Sequence, residues 1–337
     1  IIVTKINVPF IQQRLVPRQR LFDRLNEGLS SKLISVCAPA GYGKSTLITQ
    51  WLGMRNECIA WVSLDKSDDD WIRFFTYLLT AIVKSNTDVG KSSLELLNSE
   101  KPVAMDELMA NIINDLSLIK KECVIVLDDF HLLKSNEILS NMNFLIENLP
   151  SKLHFVILAR TEPNLFIPKF RSQRVLTEIQ AEELPFSLVE SENFLNQVMN
   201  LDLGAKDVSV LTERTEGWVV GLQLAALSLR QRPDPSLFIA GLTGKDRHIA
   251  DYLINEVLSS QTEDLQSFLL QTSILERMCG TFCNEVLEIK ESQAILEAIE
   301  RANLFIIPLD NSREWYRYHH LFSELLRSRF EREDRLK

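Results

Sequence analysis

A short glycine-containing stretch at residues 38–46 constrains the fold of this chain more than any other feature. Its sequence is Ala-Pro-Ala-Gly-Tyr-Gly-Lys-Ser-Thr. The apolar run 33–37 before it predicts a buried strand, and residues 47–52 after it predict the first turns of a helix. A strand, a glycine-containing loop and a helix in this order are the context of a phosphate-binding loop.

In such a loop, backbone N–H groups around Gly41 and Gly43 point at a polyphosphate, and the helix N-terminus adds partial positive charge. Lys44 is expected to reach the β- and γ-phosphates, and the Ser45 hydroxyl to ligate Mg²⁺. The strict pattern begins with Gly where this chain has Ala38, so the loop follows the relaxed form. The predicted nucleotide-binding residues here are Ala38, Pro39, Ala40, Gly41, Tyr42, Gly43, Lys44, Ser45 and Thr46.

A second apolar run, residues 124–127, ends in two carboxylates. Asp128, at the predicted strand end, is expected to hold Mg²⁺ directly or through water. Asp129 is expected to orient or deprotonate an attacking water. Aspartates are also common in turns, so the pair alone is a weak signal. Downstream of a phosphate loop it indicates the acidic partner of that loop.

An arginine follows another predicted strand, residues 154–159. Open parallel sheets bind ligands beyond the carboxyl ends of their strands. Arg160 is therefore expected to sense a γ-phosphate, and a surface arginine in a loop is the alternative.

The segment Val16-Pro17-Arg18 lies shortly before the first strand, and the proline restricts Val16 to extended geometry. Two interpretations fit equally well. The segment either covers the base of a bound nucleotide or leads into the short amphipathic helix that ends near Leu29.

Strands alternating with helices over the first 180 residues predict a three-layer α/β domain, a parallel sheet with helices on both faces. Apolar residues at helical spacing predict helices over 70–84 and 103–120. The polar stretch 85–101 between them is predicted to be a surface loop. We assign residues 1–180 to a P-loop nucleotide-binding domain.

From residue 184 the pattern changes to helices alone. Ser187 and Glu190 form a capping-box pattern at the start of a helix over 188–199. Residues 232–235 contain two prolines, which predict the end of a third helix. We assign residues 181–241 to a small all-α helical domain.

Residues 242–337 combine further helices with one hairpin. The runs 304–309 and 314–318 flank polar turn residues, which is typical of a β-hairpin. Helices followed by a hairpin suggest a winged-helix domain. His319 and His320 follow the hairpin and open the last helix, and a solvated helix start also fits that spacing.

Charge and composition exclude several classes of protein. The net charge of −9 argues against a chain that is mainly a nucleic-acid-binding surface. Residues 242–337 carry 12 Lys and Arg against 17 Asp and Glu, so the winged helix is expected to be structural or regulatory. No apolar run approaches the roughly 20 residues that span a bilayer, and we expect no membrane contact. The five cysteines form no C-x-x-C pair, which indicates a reducing cytoplasm.

The combination of a phosphate-loop domain, a helical domain and a winged helix that does not read DNA resembles the STAND class of signal-transduction ATPases. Four stretches are similar to the LuxR-type, MalT-like transcription regulators of that class. They are Pro39–Leu47, Trp61–Asp65, Gly217–Ala225 and Tyr318–Phe322.

This resemblance implies a bacterial transcription regulator whose DNA-reading domain lies beyond this chain. It implies that ADP holds a closed monomer, and that ATP together with an inducer, bound outside these domains, permits opening and self-association. The chain starts at Ile1 without Met and ends within the charged run 327–337, so we expect a piece of a longer protein.

The resemblance also implies roles for individual residues with ATP or ADP and Mg²⁺ as cofactors. Val16 to Arg18, Gly217 and Val219 would lie at the adenine, and His319 would reach the β-phosphate of ADP. Residues 43–46 would hold phosphates and Mg²⁺, with Ser45 and Asp128 as its ligands. Lys44, Asp128, Asp129 and Arg160 would form the catalytic set of a weak ATPase that serves as a switch.

Two alternatives remain at this stage. The first is a turnover ATPase or phosphotransferase that does not act in transcription, although no second catalytic constellation is visible. The second is a degenerate scaffold that binds no nucleotide, against which Lys44, Ser45 and Asp128 argue.

Overall fold

The computed structural model describes residues 1–10, 14–55, 58–85, 89–99, 103–230, 235–310 and 312–334. The chain divides into two compact units. The first comprises Ile1–Gln13, Arg18–Cys37 and Lys44–Glu183, and the second comprises Arg14–Pro17, Ala38–Gly43 and Leu184–Lys337. Residues 38–43 therefore belong to the second unit, and the helix that starts at Lys44 belongs to the first.

A five-stranded parallel sheet forms the centre of the first unit. The strands are β1 Leu33–Cys37, β2 Cys58–Ser63, β3 Cys123–Asp128, β4 Leu153–Ala159 and β5 Leu176–Ile179. Their order in the sheet is β2-β3-β4-β1-β5. Every residue of β1, β3 and β4 is buried, as expected of parallel strands covered on both faces.

Strand β4 lies between β1 and β3, which brings three strand ends together. Cys37 pairs with Ala159, and Leu127 pairs with Ile157. Because the strands are parallel, the residues after β4 and the last residue of β3 emerge at the same edge as the end of β1. This order places Arg160 and Asp128 on the edge where ligands of open α/β sheets bind.

Apolar helix faces pack with the strands into one core of the first unit. The predicted helix over 70–84 is Trp71–Ser85, and the one over 103–120 is Met105–Ser117. The helices of this unit are α1 Gln19–Glu27, α2 Lys44–Leu52, α3 Trp71–Ser85, α4 Lys91–Leu97, α5 Met105–Ser117, α6 Asn136–Glu147 and α7 Ile167–Ser172.

Helix α4 corrects the predicted surface loop over 85–101. Ser93 in this helix is fully buried, and its backbone N–H and its hydroxyl both donate to Asp115 Oδ2 at 2.9 and 2.7 Å. The helix is held by this contact with α5, and a stretch of mostly polar residues gave no local signal for it. Residues 86–88 and 100–101 of the predicted loop lie outside the described part of the chain.

The second unit is helical up to a short hairpin. The Ser187–Glu190 capping box is present, and the helix it opens continues as a π-helical turn at Asn193–Val198. The helix Arg247–Leu253 also continues as a π-helical turn, at Ile254–Leu258. The helices are α8 Leu188–Glu192, α9 Ala205–Thr215, α10 Val219–Leu229, α11 Pro235–Gly241, α12 Arg247–Leu253, α13 Glu263–Thr272, α14 Gly280–Leu287, α15 Ser292–Arg301 and α16 His320–Asp334.

The predicted hairpin is the antiparallel pair β6 Ile306–Pro308 and β7 Tyr316–Tyr318. Its position before α16 completes the winged-helix pattern. The predicted helix stop at 232–235 falls largely on residues 231–234, which lie outside the described residues. Among the helices that the structure describes, none combines the length and apolar character needed to cross a bilayer.

Candidate nucleotide-binding site

The loop between β1 and α2 has the backbone that a phosphate loop requires. Gly41 and Gly43 have φ angles of +80° and +77°. Residues with a side chain rarely adopt this left-handed backbone conformation, whereas glycine adopts it without steric cost. The two glycines therefore explain how the chain turns tightly from Cys37 into a helix that begins at Lys44.

Lys44 is buried, with 8% of its surface exposed, in the first turn of α2. Burial lowers the pKa of Lys44 to about 8. The charges of Asp129 and Asp128 act in the opposite direction, and that of Arg160 acts in the same direction. A buried ammonium group at the start of α2 is suited to pairing with a phosphate.

Ser45 and Asp128 are brought together as predicted ligands of one metal ion. The Ser45 hydroxyl donates to Asp128 Oδ1 at 3.0 Å, and the backbone N–H of Asp129 donates to the same oxygen at 3.0 Å. Burial, with the neighbouring charge of Asp129, raises the pKa of Asp128 to about 6. A buried carboxylate beside a hydroxyl is a set of hard oxygen donors that fits Mg²⁺.

Asp129 differs from Asp128 in the exposure of its side chain and in its backbone conformation. Its side chain is 47% exposed, and its φ of +59° turns the chain out of β3. Its Oδ1 lies 3.8 Å from Nδ1 of His131, a residue that sequence reasoning did not select. Burial lowers the pKa of His131 to about 4, against the raising effect of Asp129. Asp129 is the more accessible of the two acids and the better placed to meet a water molecule.

In the second unit, residues 38–43 contact the start of α10. Trp218 Nε1 donates to the carbonyl of Ala40 at 3.3 Å, and the N–H of Val220 donates to the carbonyl of Gly41 at 3.2 Å. The Tyr42 ring lies 6.2 Å from that of Phe305. Sequence reasoning gave no role to Trp218 or Phe305.

Phe305 carries a backbone signal that only the structure reveals. Its φ is +54°, which is rare for a bulky residue and marks a strained position. Its ring lies between those of Trp218 and His319, at 5.1 and 5.6 Å. The residue with this rare backbone conformation thus has its ring at the centre of an aromatic cluster.

His319 is almost fully buried, with 1% of its surface exposed. Its Nε2 lies 3.0 Å from the carbonyl of Thr215, which requires a proton on Nε2. Its Nδ1 is buried without a hydrogen-bond partner among the described residues. A buried polar atom in this state calls for an explanation, and a ligand is one.

The two neighbouring histidines have different surroundings. His320 is exposed, and its Nε2 lies 3.3 Å from Oε1 of Glu324. His319 is buried, and residues on both sides of it in the sequence bond to Glu216. Glu216 accepts two hydrogen bonds from the guanidinium of Arg317 and one from the N–H of His320, all at 2.8 Å. Burial opposes ionisation of Glu216, but these bonds keep its pKa below the usual range. Glu216 therefore fixes the chain on both sides of His319.

The predicted adenine-side residues are spread over both units. Val16 and Arg18 are buried with 6% and 4% exposure, while Pro17 is exposed. Gly217 has φ +70°, and a Cβ there would lie 2.5 Å from the carbonyl oxygen of Phe186. Val219 is half-buried at the start of α10. The close approach to Phe186 therefore requires glycine at position 217, independently of any contact with adenine.

The burial of His319 leads us to predict that the stability of the folded chain depends on pH. Burial lowers its pKa below the ordinary value of about 6.5, so the unfolded chain binds a proton there at a pH where the folded chain does not. This contribution to stability is complete above pH 6.5 and is lost as the pH falls, by at most about 1.4 kcal/mol per pH unit. In His319→Gln, the unfolding temperature should fall less between pH 7.5 and 5.5 than in the wild type.

The matched control is His248→Gln, because His248 is exposed. It should reproduce the pH profile of the wild type. A profile of His319→Gln that is as steep as that of the wild type would contradict a buried neutral His319.

Comparison with known proteins covers both units. Residues 29–165 match a family described as an AAA domain, and residues 254–337 match the MalT winged helix domain. The chain is 33% identical over 333 residues to the HTH-type transcriptional regulator MalT of Klebsiella pneumoniae strain 342, across 98% of this chain and 37% of that protein. For the protein of the same name from Yersinia pestis strain Pestoides F, identity is 34% over 334 residues, with 98% and 36% covered. The chain thus spans a little over a third of the length of these relatives.

A solved structure supports the fold. The Walker-type ATPase paby2304 of Pyrococcus abyssi superposes with a TM-score of 0.62 at 15% identity, over 94% of this chain and 99% of that chain. The P-loop ATPase fold implies nucleotide binding, usually with Mg²⁺. From these matches, we conclude that the chain is a MalT-like P-loop ATPase region with a MalT winged helix domain at residues 254–337.

Proposed function

We propose that this chain is the nucleotide-operated switch of a longer transcription regulator. One observation carries the proposal. The second unit holds the phosphate-loop residues 38–43 and a buried histidine, His319, around one aromatic cluster, and Nδ1 of that histidine has no partner among the described residues. A ligand that engages both the loop and His319 would stabilise the packing of this unit.

In this proposal, residues 38–46 bind the phosphates, and Ser45 and Asp128 hold Mg²⁺. The metal ion would neutralise phosphate charge when bound. Lys44 supplies a buried positive charge, Arg160 acts as the sensor of the γ-phosphate, and Asp129 orients a water molecule. Hydrolysis of ATP to ADP and phosphate would be slow, because the proposed role of the site is to switch rather than to turn over.

His319 would distinguish the closed state. Its Nε2 already donates to Thr215, so its neutral Nδ1 carries a lone pair and cannot donate to an oxyanion. Contact with the β-phosphate of ADP would therefore require His319 to take up a proton. The γ-phosphate of ATP would compete with His319 for the position beside the β-phosphate. ATP would then favour an open state to the extent that it binds the open state more tightly than the closed one.

The remaining parts of the proposal concern the longer protein. We assign residues 1–180 to the nucleotide-binding domain, 181–241 to a helical domain and 242–337 to the winged-helix domain. ADP would hold a closed monomer, and ATP with an inducer would permit self-association through these domains. DNA would be bound by a further domain, in keeping with the similarity to HTH-type transcriptional regulators.

The direct test is the nucleotide content of the purified chain. The protein is denatured, and any released nucleotide is identified by chromatography and quantified against protein. Stoichiometric ADP is the expected result. A protein that is empty and consumes added ATP rapidly would favour a turnover ATPase, and one that binds no added nucleotide would overturn the proposal.

A further inference from the structure

Helix α10 holds two consecutive carbonyls of the phosphate loop. Trp218, its N-cap residue, donates from Nε1 to Ala40, and Val220 donates from its backbone to Gly41. Trp218 is fully buried, so its indole N–H has no access to water as an alternative acceptor. Breaking its bond to Ala40 would leave a buried donor unpaired.

These two bonds also set the direction of the loop amides. In a trans peptide, the C=O of one residue and the N–H of the next point in opposite directions. Fixing the carbonyls of Ala40 and Gly41 therefore fixes the N–H groups of Gly41 and Tyr42 on the opposite side of the loop. These are amides of the kind that cradle phosphates in such loops.

The fit around Gly41 leaves no free space on the side of the helix. A Cβ at this position would lie 2.8 Å from Trp218 Nε1, 2.9 Å from Val220 Cβ and 3.0 Å from the Tyr252 hydroxyl. A movement of the loop backbone towards α10 must therefore displace the indole. The same indole meets the ring of His319 at 6.0 Å, edge to face.

We propose that Trp218 is the positioning residue of the phosphate loop: its indole N–H orients the loop amides for nucleotide phosphates and couples the loop to His319. Trp218 acts through the loop and does not itself touch the nucleotide. The inference rests on the proposed nucleotide-binding function and deepens it.

The test is Trp218→Phe, which keeps an aromatic ring and removes the N–H. Trp61→Phe is the matched control, because Trp61 is also buried and its indole donates within β2, to Ser63 at 2.9 Å, and not to a carbonyl of the loop. The dissociation constant for ADP is measured by calorimetry, well below the unfolding temperature of each variant. We expect both variants to lose similar stability, and Trp218→Phe alone to bind ADP about 5- to 10-fold more weakly, the effect of one lost hydrogen bond.

A second measurement needs no variant. Hydrogen exchange of the wild type is followed by mass spectrometry with and without ADP, and the peptide that contains the Val220 amide should exchange more slowly when ADP is bound. If ADP protects residues 38–46 but leaves this peptide unchanged, the inference is wrong.

The outcomes separate the inference from the function on which it rests. A wild-type chain that binds no nucleotide would overturn the proposed function. A wild type that binds ADP, with equal dissociation constants for Trp218→Phe and Trp61→Phe, would leave that function standing and reduce Trp218 to a core residue.

Discussion

Lys44→Met is expected to weaken nucleotide binding at least 100-fold and, at the same time, to leave the nucleotide-free chain as stable as the wild type or more stable. The first effect follows from the loss of a buried charge that would pair with phosphates, an interaction worth about 3 kcal/mol or more. The second follows from the pKa of Lys44, which burial lowers to about 8.

The sign of the second effect is fixed by linkage. Between pH 8 and the ordinary lysine pKa of about 10.4, the unfolded chain binds a proton that the folded chain has lost. At pH 7 the folded chain therefore carries the Lys44 charge at a cost of roughly 3 kcal/mol. Methionine keeps the apolar stem and removes the cost of burying the charge. In the wild type, Lys44 therefore lowers the stability of the nucleotide-free chain while it strengthens nucleotide binding.

Calorimetric titration with ADP and thermal unfolding of the nucleotide-free chain measure the two effects separately. Lys245→Met is the matched control, because Lys245 is exposed, and it should change neither quantity. Unchanged ADP affinity in Lys44→Met would contradict the assignment of the loop. A strong loss of stability in the nucleotide-free variant would contradict the unfavourable burial of the charge.

Local sequence signals predicted the parts of the fold that local chemistry decides. The apolar runs became β1, β3 and β4, because strands buried on both faces need no polar alternation. The Ser187–Glu190 capping box formed, because its hydrogen bonds involve residues only three positions apart. The phosphate loop and the aspartate at the end of β3 were visible for the same reason: each is defined by a short spacing.

What remained hidden depends on contacts between distant residues. Helix α4 is held by Ser93 bonding to Asp115, which no window of 11–18 residues contains. The difference between His319 and His320 comes from Thr215 and Glu216, about 100 positions earlier. Trp218 was seen as part of a motif, but its contact with Ala40 spans 178 positions.

Gly244→Ala is expected to destabilise the chain by about 3 kcal/mol, since a buried site without space for a methyl group must be forced open. Gly244 lies between α11 and α12, and its N–H donates to Glu324 at 2.7 Å. A Cβ on Gly244 would lie 1.9 Å from the carbonyl oxygen of Leu321 and 3.1 Å from the backbone nitrogen of Leu325. These are backbone atoms of α16, which cannot rotate away as a side chain can.

The matched control lies three residues earlier. A Cβ on Gly241 would meet no atom within 4 Å, so Gly241→Ala should be neutral or slightly stabilising, within about 1 kcal/mol. Urea unfolding of the two variants measures the difference in the free energy of unfolding. Because α16 begins one residue after His319, the Gly244 variant should also bind ADP more weakly than the Gly241 variant. Equal free energies of unfolding for the two variants would contradict the prediction. They would show that the loop before α12 can move away from α16 without loss of stability, and that it does not fix the start of α16 beside His319.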